Sequence, residues 1–95
     1  MITAFAVLLL PVLVKAQFTI SGSVSEKSNT TLPGATIKLK NKSAGTTADK
    51  QGKYQLTNLK AGNYTLLVSY LGYQTIEKNI TINADQTLDF VLVQS

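Results

Sequence analysis

The sequence predicts an all-β domain: an antiparallel β-sandwich of six or seven short strands, with one side of each sheet buried. Three observations carry this. From Phe18 onward the hydrophobic period is two, not the helical 3.6. The apolar stripes are rich in β-branched and aromatic residues, which suit a half-buried pleated surface. Turn-forming residues separate the stripes at roughly ten-residue spacing, the rhythm of a sandwich.

Before the strands comes an apolar run, Ile2 to Val14, broken only by Thr3 and Pro11. At about 13 residues, roughly 20 Å as a helix, it falls short of the ~30 Å hydrocarbon thickness of a bilayer. It ends in Val14-Lys15-Ala16, with short side chains three and one positions before Gln17. Residues 1–16 are therefore expected to be a cleavable signal peptide and residues 17–95 the exported domain. The basic segment that usually opens such a peptide does not precede Ile2; either the start codon lies further upstream or the α-amino group alone supplies the positive charge.

The strand stripes follow in order. Phe18, Ile20 and Val24 share a face. Ala35, Ile37 and Leu39 alternate with Thr36, Lys38 and Lys40, and Tyr54 and Leu56 form a short run. Tyr64, Leu66, Val68 and Tyr70 make a longer stripe. Ile76, Ile80 and Ile82 come next, and Leu88, Phe90 and Leu92 close the pattern. Between them lie the loops: Ser28 to Gly34 with Pro33-Gly34, the polar Asn41 to Gly45, and Asp49-Lys50-Gln51-Gly52 with the residue preferences of a type I turn. Asn58 to Asn63, Leu71-Gly72 and Asn83 to Gln86 complete the set.

Composition narrows the function. The chain has 95 residues, no cysteine, histidine or tryptophan, 44% hydrophobic and 15% charged residues. It can offer no thiolate or imidazole metal site, no disulfide framework and no Ser-His-Asp or Cys-His pair. Catalytic, cofactor-binding and metal-binding residues are all expected to be none. The net charge of +4 is carried by lysine alone. Without arginine forks or interleaved aromatics it does not point to nucleic acid. Lys38, Lys40 and Lys42 alternate and read as a solvated outer face that discourages edge pairing, in preference to a phosphate-binding stripe. Asp49 reads as a turn cap, since the further oxygen ligands of a calcium loop are missing. Tyr54, Tyr64, Tyr70 and Tyr73 are candidate ligand contacts, a sugar-stacking platform in one reading and core or rim aromatics in the other. Asn29, Asn41, Asn63 and Asn79 each open an Asn-x-Ser/Thr triplet: glycan acceptors if the chain is a secreted eukaryotic protein, chance occurrences if it is an Asn- and Thr-rich bacterial β-domain, the second being the preferred reading.

Three stretches keep a recognisable order and spacing: Leu32-Pro33-Gly34-Ala35-Thr36-Ile37, Gly45 through Leu56, and Val68-Ser69-Tyr70-Leu71-Gly72-Tyr73-Gln74-Thr75. Together they resemble the carboxypeptidase regulatory-like domain, in the version found at the N-terminus of TonB-dependent outer-membrane receptors of Bacteroidota. The resemblance spans nearly all of Phe18 to Val93. It implies a seven-stranded, transthyretin-like sandwich with no catalytic residues of its own. The motif positions Pro33, Gly34, Ala35, Asp49, Gly52, Gly72 and Tyr73 are then turn-makers and core residues. The first loop departs from the family in lacking the Asp/Gly pair often seen before the Leu-Pro-Gly-Ala run.

The resemblance further implies a non-catalytic periplasmic domain of a receptor that imports glycans or iron chelates. Its partners would be the receptor's own plug and barrel or a periplasmic energy-coupling protein, with membrane association only through a following barrel. The alternative is a free-standing secreted module that binds carbohydrate or protein. An accessory domain of a metallocarboxypeptidase would need a zinc-binding catalytic domain upstream, where the apolar run stands instead.

Overall fold

The computed structural model describes residues 17–95; the expected signal peptide, residues 1–16, lies outside the described residues. The described chain forms eight strand segments and no helix. They are β1 (Phe18–Glu26), β2 (Thr36–Leu39), β3 (Gly45–Thr47), β4 (Lys53–Leu59), β5 (Gly62–Ser69), β6 (Ile76–Ile82), β7 (Gln86–Thr87) and β8 (Phe90–Leu92). One sheet runs β3-β2-β5-β6, antiparallel throughout. The other centres on β1, with β4 antiparallel on one side and β7 then β8 parallel on the other.

The core between the sheets follows the period-two stripes. Ile20 and Val24 of β1, Ile37 and Leu39 of β2, Leu66 and Val68 of β5, Ile82 of β6 and Leu92 of β8 are at most 1% exposed. Tyr54, Leu56, Leu59, Ile80 and Phe90 complete the apolar layer with Leu32, Ala35 and Ala48 from the loops. No polar or charged residue is buried among them, so the layer carries no desolvation penalty from unpaired groups.

Three details correct the sequence reading. The strands number eight segments, not seven, because the last stripe breaks at Leu88-Asp89. There Leu88 N–H donates to Ser21 O (2.8 Å), while Asp89 Oδ1 accepts from Ser23 N–H (2.9 Å) and from the Ser23 hydroxyl (3.1 Å). The Asp89 side chain stands in for a ladder carbonyl at that point. The second correction concerns direction. The sandwich is not wholly antiparallel, because the chain leaves β6 in the opposite sheet and crosses over through residues 83–85 to run beside β1 in β1's own direction. In addition, the polar Asn41 to Gly45 stretch, expected as a loop, leads directly into β3, whose Thr46 and Thr47 pair with Ile37 and Thr36.

Candidate functional site

Most of the motif positions build turns. Gly34 N–H donates to Ala48 O (2.9 Å) and Ala48 N–H to Ala35 O (2.8 Å), so the loop after Pro33 is tied to the segment before Asp49. The Asp49 carboxylate accepts from the backbone N–H groups of Gln51 and Lys53, each at 2.9 Å, and Gly52 N–H closes the turn on Asp49 O. Gly52 has φ 75°, and a Cβ there would lie 2.7 Å from Thr31 Cβ and 3.0 Å from Val24 O. Only glycine fits that close approach with left-handed backbone.

The four tyrosines do not form one platform. Tyr54 is 4% exposed, stacks at a tilt on Phe90 with ring centroids 6.1 Å apart, and donates its hydroxyl to Leu88 O at 2.6 Å. Burial, then the Asp89 carboxylate, pushes its phenol far above the usual range. As a ligand contact Tyr54 is corrected by the structure: it is a core residue. Tyr64 lies at the other end of the domain, half-buried, with its hydroxyl on Lys60 O (2.7 Å).

Tyr70 and Tyr73 do meet, edge to face, with centroids 5.7 Å apart. Tyr73 donates its hydroxyl to Glu26 at the end of β1. That bond holds the Glu26 carboxyl below its ordinary range, helped by the Ser28 hydroxyl, and holds the Tyr73 phenol above its own. Beside this pair the last residues fold back. Gln74 N–H donates to Val93 O (2.8 Å), Ser95 N–H donates to Gly72 O (2.9 Å), and Tyr73 bridges Gln94. A groove of about 330 Å³ results, lined by Glu26, Lys27, Ser28, Tyr73, Val93 and Gln94 over the buried Leu92.

Large apolar side chains are exposed in this part of the chain. Leu71, in the turn between the two tyrosines, is 96% exposed, and Val91 and Val93 are half-exposed along and just past β8. Reading Leu71-Gly72 as a strand interruption located the turn and missed the leucine as an exposed apolar side chain. The available signal was a large apolar side chain in a position where turn chemistry asks for a polar one. Glu26, the partner of Tyr73, was also missed, because the two are far apart in sequence. Among the described residues no group of acidic side chains is placed to hold a metal ion.

The comparisons with known proteins agree with this architecture. The model of the carboxypeptidase regulatory-like domain family matches residues 20–95. The chain belongs to that family. It is 31% identical over 77 residues to the TonB-dependent receptor P39 of Formosa agariphila, a match that takes in 81% of this chain and 7% of the receptor. The carboxypeptidase regulatory-like domain of a receptor is a non-catalytic domain. Among solved structures, a chain of a type II cohesin–X–dockerin complex from Acetivibrio cellulolyticus is similar at 25% identity and TM-score 0.68, over 77% of this chain and 52% of that one. The major pilin subunit BcpA of Bacillus cereus matches at 17% identity and TM-score 0.68, over 84% and 31% of the two chains. Catechol 1,2-dioxygenase of Acinetobacter radioresistens matches at 12% identity and TM-score 0.67, over 84% and 52%. These last two share the fold alone.

Proposed function

We propose that the chain carries the periplasmic N-terminal domain of a TonB-dependent outer-membrane receptor for glycans or iron chelates, exported by a signal peptide that is cleaved after Ala16. The observation that carries this reading is the 31% identity to a TonB-dependent receptor across most of the domain. Its work is protein contact. The exposed Leu71 and the groove between Tyr73 and Val93 offer an apolar and aromatic surface for such contact. The partner is the receptor's plug or a periplasmic energy-coupling protein.

Reading the coding sequence beyond Ser95 and deleting residues 17–95 from the intact receptor tests this. A barrel should follow, and deletion should lower uptake of the nutrient while binding at the cell surface persists. A stop codon directly after Ser95 in a complete gene would overturn the receptor role in favour of a free-standing binding module. Loss of surface binding on deletion would instead put ligand recognition in this domain.

A further inference from the structure

The net charge of the described residues is not spread evenly. Residues 36–47 and 62–82, which hold the β3-β2-β5-β6 sheet, contain Lys38, Lys40, Lys42 and Lys78 against Glu77 alone. The remaining described residues contain four lysines (27, 50, 53 and 60) and four acids (26, 49, 85 and 89), which cancel. The domain therefore presents one positive sheet.

That sheet has a notch. The last β2–β5 pair is Leu39 with Leu66, and β5 begins at Gly62. The chain turns away at Asn41, with φ 62°, after Lys40 N–H reaches Thr65 O at 2.8 Å. The edge of β5 around Asn63 thus faces a turn and not a strand. The depression left there has a volume of about 480 Å³, in the range of a small-ligand pocket.

Two of the Asn-x-Thr triplets lie antiparallel across β5 and β6, Asn63 opposite Thr81 and Thr65 opposite Asn79. Each threonine hydroxyl donates to the facing amide oxygen, both at 2.8 Å. Each carboxamide oxygen thereby accepts one hydrogen bond and keeps a second lone pair, and each amide also carries its NH2 as a donor. Lys40 is held by Glu77 at 2.8 Å. Lys42, exposed, stands 6.0 Å above the centroid of the Tyr64 ring with no carboxylate partner among the described residues. Amide groups and an exposed ammonium beside them suit a ligand rich in hydroxyls and bearing a carboxylate.

We infer that this notch binds acidic saccharides, Lys42 pairing with a uronate carboxylate and the Asn63 and Asn79 amides holding ring hydroxyls. This goes beyond the receptor role and stands apart from it, because the domain can be tested with no barrel attached. The experiment is a ¹⁵N NMR titration of the chain with trigalacturonate, and with maltotriose as the neutral counterpart. Trigalacturonate should shift the side-chain NH2 signals of Asn63 and Asn79, and added salt should weaken its binding. Lys42→Glu and, separately, Asn79→Ala should each raise Kd about tenfold, equivalent to about 1.4 kcal/mol, with spectra that remain dispersed. Lys78→Glu makes the same change in net charge on the same sheet and should leave Kd nearly unchanged. Equal binding of maltotriose, an equal loss in Lys78→Glu, or no shifts at Asn63 and Asn79 would each overturn the inference. Tighter binding of a poly-glutamate peptide at the same residues would also overturn it, making the surface a protein dock. None of these outcomes bears on whether the domain belongs to a receptor.

Discussion

At Gly22 the backbone of β1 passes so close to the Leu88-Asp89 break that no side chain fits. A Cβ at Gly22 would stand 2.6 Å from the Leu88 carbonyl carbon and 2.9 Å from Asp89 Oδ1, nearer still to the Leu88 oxygen. The obstacle is backbone, which cannot swing aside as a flexible side chain would. Gly22→Ala should therefore cost about 3 kcal/mol, the upper end for overpacking, and a urea melt that shifts by less than ~1 kcal/mol would contradict it. The Tyr73–Glu26 bond makes a pH-dependent prediction. Glu26 has a folded pKa below its ordinary 4.5, so its share of stability is present above that value and is lost as pH falls through the lowered one. Tyr73, whose folded pKa is raised, contributes stability that is present below its ordinary 10.0 and is lost at more alkaline pH. The stability difference between the chain and Tyr73→Phe should therefore be largest between these limits and shrink on both sides. Melts from acid to alkaline pH would show this, and a flat difference would contradict the assignment.

Among the elements, β8 is the most exposed to test. Phe90 is 5% exposed against Tyr54, whereas Val91 beside it is 50% exposed. Phe90→Ala should cost about 3–5 kcal/mol, comparable with the ~5 kcal/mol total expected of so small a domain. Val91→Ala should stay within about 0.5 kcal/mol. Denaturant midpoints of the two variants check the assignment of faces. The alternation that predicted Phe90 and Leu92 as inward was legible because burial on one side of a sheet imposes a period of two. The same holds for Ile37 and Leu39, Leu66 and Val68, and Ile80 and Ile82. Strand β3 was not legible, because Gly45-Thr46-Thr47 has no apolar stripe and is held by backbone pairing to β2. The parallel course of β7 and β8 was not legible either, since direction depends on which sheet the chain joins after β6. At the notch, the Asn-x-Thr triplets were visible but their facing partners were not, because pairing Asn63 with Thr81 depends on the register of two strands.

For the molecule as a whole, export and folding can be measured directly. Intact mass of the exported product should correspond to a chain that begins at Gln17 or its cyclised form, and a product that retains Met1 would contradict cleavage after Ala16. Far-UV circular dichroism of that product should show sheet. The parallel pairing of β1 with β8 has a mechanical consequence. Phe18 opens β1 at one end of the sandwich, while Leu92 lies beside Glu26 at the other, roughly 26 Å away at ~3.3 Å per residue. Tension applied through the two terminal strands would pull them lengthwise in opposite directions, loading their shared bonds together in shear. An antiparallel hairpin pulled from its open ends peels one bond at a time. A polypeptide that carries this domain in series can therefore bear load through it as a stiff link, with the Gly72–Ser95 and Gln74–Val93 bonds fastening the trailing end.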